Sequence, residues 1–336
     1  EAPSNTGSLT AGYNFDLGRW KNLGVSASFS KTHYEDRKDD NQFYLSLSVP
    51  LDPDHRLSYD LRNSDNLSQT VSWYDTLTLE DDSSGRLSLQ CEYAADARPP
   101  SVAGAPRPET EVPEGSDNLV LRALEALRRQ TGCRRGARVR LTKRIPVAAG
   151  LAGGSTDAAA ALAAADRLWD LGLGDGPLCE IAATLGSDIP FFFARRPAVC
   201  RGRGERIEAL EGLGTLHGVI VAPPVGLSTA AVYRACRPAE TPATAGEIAA
   251  AWRAGDAASV GRLLHNRLQP AAEGLNECVG RLREEFDRFD CLGHRMSGSG
   301  TSYFALCRTA RQARALAAQA SARRLGRTFT FRSLAA

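Results

Sequence analysis

The run Pro146-Val-Ala-Ala-Gly-Leu-Ala-Gly-Gly-Ser-Thr-Asp-Ala158 constrains the fold of this chain more than any other stretch, because it joins a glycine-rich turn to a strongly helix-forming segment. Glycines at 150, 153 and 154 let the backbone approach a ligand closely and take left-handed torsions. Ser155, Thr156 and Asp157 are residue types that start helices, so a helix is expected from Ser155 to about Asp170. A helix start carries unpaired N–H groups and the positive end of the dipole. Turn and helix start together make an anion site, most naturally one for nucleotide phosphates. The run is not a Walker loop, which needs Gly-Lys before Ser or Thr, since Ser155 follows Gly154 directly. Nor is it a dinucleotide fingerprint, because Gly150-Leu-Ala-Gly153 lacks the Gly-x-Gly start.

Two composition regimes share the chain. Residues 1–75 hold seven Lys/Arg against eleven Asp/Glu and six of the nine asparagines. The remainder is arginine-rich, holds all eight cysteines, and contains a single lysine, Lys143. The formal net charge of +2 leaves no part basic enough to demand nucleic acid as a partner. No run of 18 apolar residues marks a membrane-spanning helix. No close Cys-x-x-Cys pair suits zinc, and scattered cysteines are expected to be buried, reduced thiols in a cytoplasmic setting. The chain starts at Glu1 with no signal peptide, as a fragment or a misjoined reading frame would.

The first 73 residues read as antiparallel β-structure. Residues 23–30, 43–49, 56–61 and 67–73 alternate polar with apolar or small, and Phe43, Leu45, Leu47 and Val49 share one face. Polar turns separate these runs at 36–41, 52–54 and 62–65. His33 and His55 sit in polar turns and are expected to be solvated. With Trp20, Tyr34 and Trp73 near strand ends, the segment resembles part of the barrel of a fimbrial outer-membrane usher, notably around residues 42–51. That parent family sits in the outer membrane. A soluble β-meander satisfies the same pattern, and a few barrel strands cannot close a barrel.

Beyond residue 73 strands are expected at 74–80, 86–90 and 139–143, and a capped helix over 117–127, with a proline-rich loop at 98–115 between them. In Leu185-Gly-Ser-Asp-Ile-Pro-Phe-Phe-Phe193 a helix is expected to end, Gly186 to turn the chain, and 189–193 to form a buried strand, with Asp188 the one charge at the junction. A second glycine-rich turn, Ser297-Gly298-Ser299-Gly300, precedes a strand at 303–307. Strands at 218–222 and 327–331 alternate with helices at 230–235, 248–254, 275–286 and 310–322, which suits an α+β domain. His217, His265 and His294 have no ligand spacing and read as surface or packing residues.

Over about residues 74–336 these motifs, in this order, resemble the GHMP small-molecule kinases. The resemblance implies an α+β fold of two domains, ribosomal S5 domain 2-like and ferredoxin-like, with the family's first strands replaced here by the β-rich head. Domain bounds of 1–73, 74–200 and 201–336 follow. It implies ATP with Mg²⁺ as cofactors, held by Pro146, Val147, Ala148, Ala149, Gly150, Leu151, Ala152, Gly153, Gly154, Ser155 and Thr156. The turn of Ser297, Gly298, Ser299 and Gly300 would close over that loop. Asp188 would accept the proton of the attacking hydroxyl. No dedicated protein metal site is implied. The resemblance implies a small-molecule substrate, a diphosphocytidyl sugar alcohol of non-mevalonate isoprenoid synthesis that is phosphorylated on a hydroxyl.

The family's first strand carries a Pro-Ala-Lys-Ile-Asn-like motif, whose lysine works beside the aspartate, and an Asp-Gly-Tyr-His-like turn holds the cytosine. Neither occurs in this sequence. Lys143 does not replace that lysine by motif, since it lies on the strand entering the loop. Loss of one charged partner costs ~10²–10³ in rate in comparable sites, so an impaired kinase is expected. The alternatives are a non-catalytic nucleotide-binding module and a fragment of an usher-type protein.

Overall fold

The alternation of the head is realised in its backbone. The computed structural model describes main-chain strands within residues 5–68, and residues 75–94, 112–237 and 244–333 with their side chains. Backbone contacts divide the chain into Glu1–Trp73 and Tyr74–Ala336. In the first unit β1 (Asn5–Leu17), β2 (Trp20–His33), β3 (Asp40–Asp52), β4 (His55–Ser64) and β5 (Asn66–Ser68) pair antiparallel in sequence order. Register sets Phe29 opposite Phe43, Ala27 opposite Leu45 and Val25 opposite Leu47. The apolar positions of the alternating run therefore meet apolar or small ones across the ladder. The polar stretch 62–64 does not turn but extends β4, pairing with 42–44. Backbone hydrogen bonds are indifferent to side-chain polarity, so the ladder runs on. His33 ends β2 and His55 begins β4. The turn expected at 36–41 lies outside the described residues up to 39, as do the later part of the strand expected at 67–73 and most of the proline-rich loop.

The second unit opens with β6 (Thr76–Asp82), β7 (Leu87–Tyr93), α1 (Leu119–Thr131) and β8 (Gly136–Lys143). β8 is central, antiparallel to β6 and parallel to β7, which the crossover through α1 permits. Ala137, Val139, Leu141 and Lys143 are buried at every second position of β8, so a lysine occupies a core-facing slot. Asn118, not Asp117, caps α1, accepting from the Val120 N–H at 2.8 Å. Gly132 ends that helix in the left-handed region at φ 71°. α2 (Gly153–Leu168) and α3 (Asp175–Leu185) follow. Alanines 158, 159, 161 and 165 with Leu162 form the buried face of α2, and their small side chains bring it close to α1. Trp169 closes this core, its indole N–H donating to Gly136 O at 3.2 Å.

Residues 189–193 are not a strand. Ile189 is buried, Pro190 has helical torsions, and α4 (Phe191–Ala194) is a single helical turn. Proline lacks the N–H a ladder needs and fixes φ near the helical value, so the apolar run coils against the core. A hairpin of β9 (Ala198–Arg201) and β10 (Arg206–Ala209) follows.

The second half contains β11 (His217–Ala222), α5 (Thr229–Ala235), α6 (Gly246–Arg253), α7 (Ala257–Leu263), α8 (Gln269–Leu275), α9 (Glu277–Asp287), β12 (Gly293–Met296), β13 (Tyr303–Cys307), α10 (Ala310–Ala322) and β14 (Arg327–Arg332). The helix expected over 275–286 is realised as α9, which starts two residues later because the Asn276 side chain caps it; the extended backbone of Asn276 also ends α8. The sheet order is β12-β13-β11-β14, all antiparallel. Counted in chain order these strands lie 2-3-1-4, the ferredoxin-like arrangement, so the expected α+β architecture is observed. Phe286, Leu282, Tyr303, Met296 and Leu316 fill its core. His294 is largely buried against Phe286 and Tyr303, with Nε2 3.2 Å from Asp287. Burial, chiefly, holds its pKa below the ordinary value.

All eight cysteines are free, but only Cys307 is buried; Cys200 is exposed and the other six are half-buried. That corrects the expectation of buried thiols.

Candidate active site

The chain leaves β8 through a short turn and enters α2 two residues earlier than the sequence indicates. The helix begins at Gly153, with Ala152 at the cap in the left-handed region and no side chain capping it. Ser155, Thr156 and Asp157 therefore lie inside the first turns instead of capping them. Thr156 Oγ1 turns back to Ala152 O at 3.0 Å. Positive φ falls at Gly150 (70°) and at Ala148 and Ala152, whereas Gly153 and Gly154 are helical. Gly153 is there for space: a Cβ on it would lie 3.0 Å from Ile145 Cγ2, whereas one on Gly154 would meet only Leu119 Cδ1 at an ordinary 3.6 Å.

The second glycine turn is bonded to the back of this loop. Leu227 N donates to Ala148 O at 3.3 Å, Ser302 N to Ala149 O at 2.9 Å, and Ser297 Oγ to Gly150 O at 2.8 Å. Three successive loop carbonyls are thus taken by the second half of the unit. The first amides of α2, which no intrahelical acceptor can satisfy, belong to residues that line an open cleft of about 640 Å³. Ser299 Oγ is 2.8 Å from Thr229 Oγ1, and both residues line the cleft. Asn266 Nδ2 holds the turn from outside, donating to Met296 O and Gly298 O at 2.8 Å each.

The cleft is lined by residues 146–155, by Asp188, and by Gly298 and Ser299. All three constellations read from the sequence therefore meet. Thr156, Ser297 and Gly300 are not on its surface; they support it from behind. A larger cleft of about 770 Å³ between α1 and α3 contains Arg129, Glu180 and Thr184 but none of these residues. Size alone does not identify the site.

Asp188 is exposed on the cleft wall, with no hydrogen-bond or ion-pair partner among the described residues. Tyr233 of α5 lines the same wall and is 62% exposed, the most exposed of the large hydrophobic residues among those described. Its hydroxyl pKa is raised by burial and then by the Asp188 charge. Sequence reading missed Tyr233; it lay in a short expected helix with nothing to mark its ring as uncovered.

The other group missed is a buried ionic cluster. Lys143 Nζ donates to Asp157 Oδ2 at 2.7 Å and makes a short contact with Asp75 Oδ2. Asp75 Oδ1 accepts from the backbone N–H of Arg144 (2.6 Å) and Ile145 (2.9 Å), at the entrance to the loop. The three side chains are 3%, 4% and 6% exposed. Burial pushes the Asp157 carboxyl up to about 6, against the pull of Lys143 and with a further push from Asp75. Burial also opposes the Lys143 charge, but Asp157 and Asp75 more than offset it and raise its pKa. The two directions are compatible: one cation between two carboxylates stays charged and leaves one acid in excess. Signals existed in the sequence. Lys143 continues the every-second-residue face of β8, and Asp157 sits on the helical stripe with Ala158, Ala161 and Leu162.

Comparison with known proteins agrees with these motifs. The family description "GHMP kinases N terminal domain" matches residues 118–196, and "GHMP kinases C terminal" matches 247–324. "Outer membrane usher protein" matches residues 2–100, running past Trp73 into β6 and β7. The 4-diphosphocytidyl-2-C-methyl-D-erythritol kinase of Pelotomaculum thermopropionicum is 40% identical over 253 residues, covering 75% of this chain and 83% of that one. That of Symbiobacterium thermophilum is 43% identical over 240 residues, covering 69% and 77%. A crystal structure of 4-(cytidine 5'-diphospho)-2C-methyl-D-erythritol kinase superposes with a TM-score of 0.57 at 27% identity, covering 89% of this chain and 92% of the other. L. major mevalonate kinase, at 14% identity and a TM-score of 0.58 over 88% of this chain and 90% of the other, shares the fold.

Proposed function

This chain belongs to the GHMP kinase family of small-molecule kinases, and on that footing we propose that it transfers the γ-phosphate of ATP to a hydroxyl of 4-diphosphocytidyl-2-C-methyl-D-erythritol. The observation that carries the reading is the convergence of the loop 146–155, the turn at Gly298 and Ser299, and Asp188 on one cleft. Residues 74–200 would act as the nucleotide-binding domain and 201–336 as the domain that closes on it.

The cleft suits a triphosphate. Its loop has the carbonyls of 148–150 turned away and bonded, so the amides and dipole of the α2 start favour an anion. Among the described residues no three His, Cys, Asp or Glu side chains cluster for a metal. The Mg²⁺ expected with ATP would then be held mainly by phosphate oxygens, a usual arrangement for this ion. The substrate oxygen attacks the γ-phosphorus, the bond to the β-phosphate oxygen breaks, and ADP leaves. The hydroxyl proton passes to the Asp188 carboxylate. The uncovered ring of Tyr233 offers a flat face to a planar base.

Turnover is proposed to be slow. Lys143 is the only Lys or Arg lining the cleft among the described residues, and two carboxylates already neutralise it. No unpaired cationic side chain among the described residues therefore meets the charge that builds on the transferring group, a term worth ~10²–10³ in rate. The same observation supports a second reading, a nucleotide-binding module without catalysis. Residues 1–73 would take no part in the chemistry.

A coupled assay for ADP formation with ATP, Mg²⁺ and the diphosphocytidyl substrate, beside an ADP titration, tests both. We expect ADP binding in wild type and in Asp188→Asn, slow turnover in wild type and a further loss of at least about tenfold in the variant. Equal turnover in both would remove Asp188 from the mechanism. Zero turnover with intact binding in both would leave the module.

A further inference from the structure

The buried cluster is more than a structural ion pair, because of where it lies. Lys143 and Asp157 line the cleft, and Lys143 Nζ would be 3.3 Å from a Cβ placed on Gly153, the first residue of α2. The cluster thus stands directly behind the amides that would receive phosphate. Its formal charge is −1 when both acids are ionised, the wrong sign for a support to an anion site. The groups facing Asp157 are Lys143 from β8, Asp75 from the segment before β6, and the half-buried thiol of Cys91 from β7, which burial pushes up to about 11 and so keeps neutral. Further out, Glu114 accepts from the Cys91 N–H at 3.2 Å, and Arg144 donates to Thr76 Oγ1 at 2.8 Å.

We propose that Asp157, Lys143 and Asp75 form a proton-linked cluster behind the phosphate loop, so that filling the loop with a nucleotide phosphate is coupled to uptake of a proton by Asp157. The inference rests on the nucleotide-binding reading above. An incoming polyanion raises the cost of the second negative charge in the cluster, and the cluster removes that charge by taking a proton. The geometry survives the change, because a protonated carboxyl keeps a carbonyl oxygen for the Lys143 N–H. Burial holds the Asp157 carboxyl up at about 6, and a bound polyanion raises it further, so the linkage operates from about pH 6 upward. For one linked proton, affinity strengthens by at most about tenfold per unit fall in pH. Asp157→Asn mimics the protonated form, and it carries the counter-intuitive prediction. Removing a charged partner from a buried cluster improves binding of the anion.

Isothermal titration calorimetry with ADP, in two buffers of different ionisation enthalpy between pH 5.5 and 8, reads the protons exchanged. In wild type we expect proton uptake beyond that of the nucleotide itself. Asp157→Asn should show the nucleotide's own exchange alone, bind ADP several-fold more tightly than wild type at pH 8, and match it at pH 5.5. Weaker binding by the folded variant at pH 8, or equal proton uptake in both proteins, overturns the proposal and leaves a purely structural role. Should the variant lose its circular dichroism, wild type alone still decides with adenosine, which lacks phosphate. Adenosine affinity must be flat across the same range, and a pH dependence like that of ADP overturns the linkage. Absence of ADP binding at every pH fails the nucleotide reading itself, a different outcome from binding without proton uptake.

Discussion

Replacement of Gly150 by alanine tests the contact on which the site depends. At φ 70° an alanine bears a left-handed penalty of about 1–2 kcal/mol. Its Cβ would also stand 2.1 Å from Ser297 O and 2.9 Å from Gly300 N and O, all backbone atoms of the second glycine turn. Backbone cannot swing aside as a side-chain tip can, so the two turns must separate, at a cost of about 1–3 kcal/mol. The expected total is about 2–5 kcal/mol. Gly132→Ala isolates the second part. Its φ is 71° and nothing lies within 4 Å of the added Cβ, so it should lose only the torsional 1–2 kcal/mol, about half as much or less. Urea unfolding of both variants gives the comparison, provided m is unchanged. An ADP titration gives the functional half: Gly132→Ala should bind as wild type, and Gly150→Ala should bind far more weakly, because Gly298 and Ser299 withdraw from the loop. Equal destabilisation by the two substitutions, or full ADP affinity in Gly150→Ala, would refute the reasoning.

Lys143→Met should destabilise by about 3–5 kcal/mol in urea unfolding, because it leaves two buried carboxylates without their cation. The pH dependence of wild-type stability follows from Asp157. Its folded pKa is raised, so its favourable share is fully present below the ordinary carboxyl value near 3.8 and is lost as pH rises through about 6. Unfolding free energy measured from pH 7 to pH 5 should therefore carry an Asp157-linked gain that is missing in Asp157→Asn. Tyr233→Ala should weaken binding of cytidine diphosphate by about 1–3 kcal/mol, the worth of one aromatic–base stack, and leave Asp188-dependent transfer intact at saturating substrate. An unchanged affinity would remove Tyr233 from base recognition.

The legible parts of this protein are those where short-range pattern and local structure coincide. Period-two runs gave β2, β3 and β4, and the apolar spacing of 119–127 gave α1. The order of loop, Asp188 and second turn gave the family. Failures came where local signals compete. Pro190 turned an apolar run into helix, and α8 ahead of the Asn276 cap was missed but for its last residue. The glycines of the loop were misassigned in role, because the sequence does not say which residue takes the left-handed torsion: Ala148 and Ala152 take it beside Gly150, and Gly153 and Gly154 do not.

What the sequence by itself determined is a phosphate-binding turn feeding a helix, an acid after that helix's neighbour, and a second glycine turn in an α+β half. Each is a matter of backbone torsion and residue type within about a dozen positions. What only the tertiary structure decided is which of these face one another, and what stands behind them. Asp75, Lys143 and Asp157 lie 68 and 14 residues apart in sequence yet form one buried cluster. Ser297 reaches Gly150 across 147 residues. Such contacts follow from how β6, β8 and α2 pack and how β12 and β13 present their turn. The charge behind the anion loop, and the cleft's lack of a free cation among the described residues, are therefore properties of the packing and of no single stretch of chain.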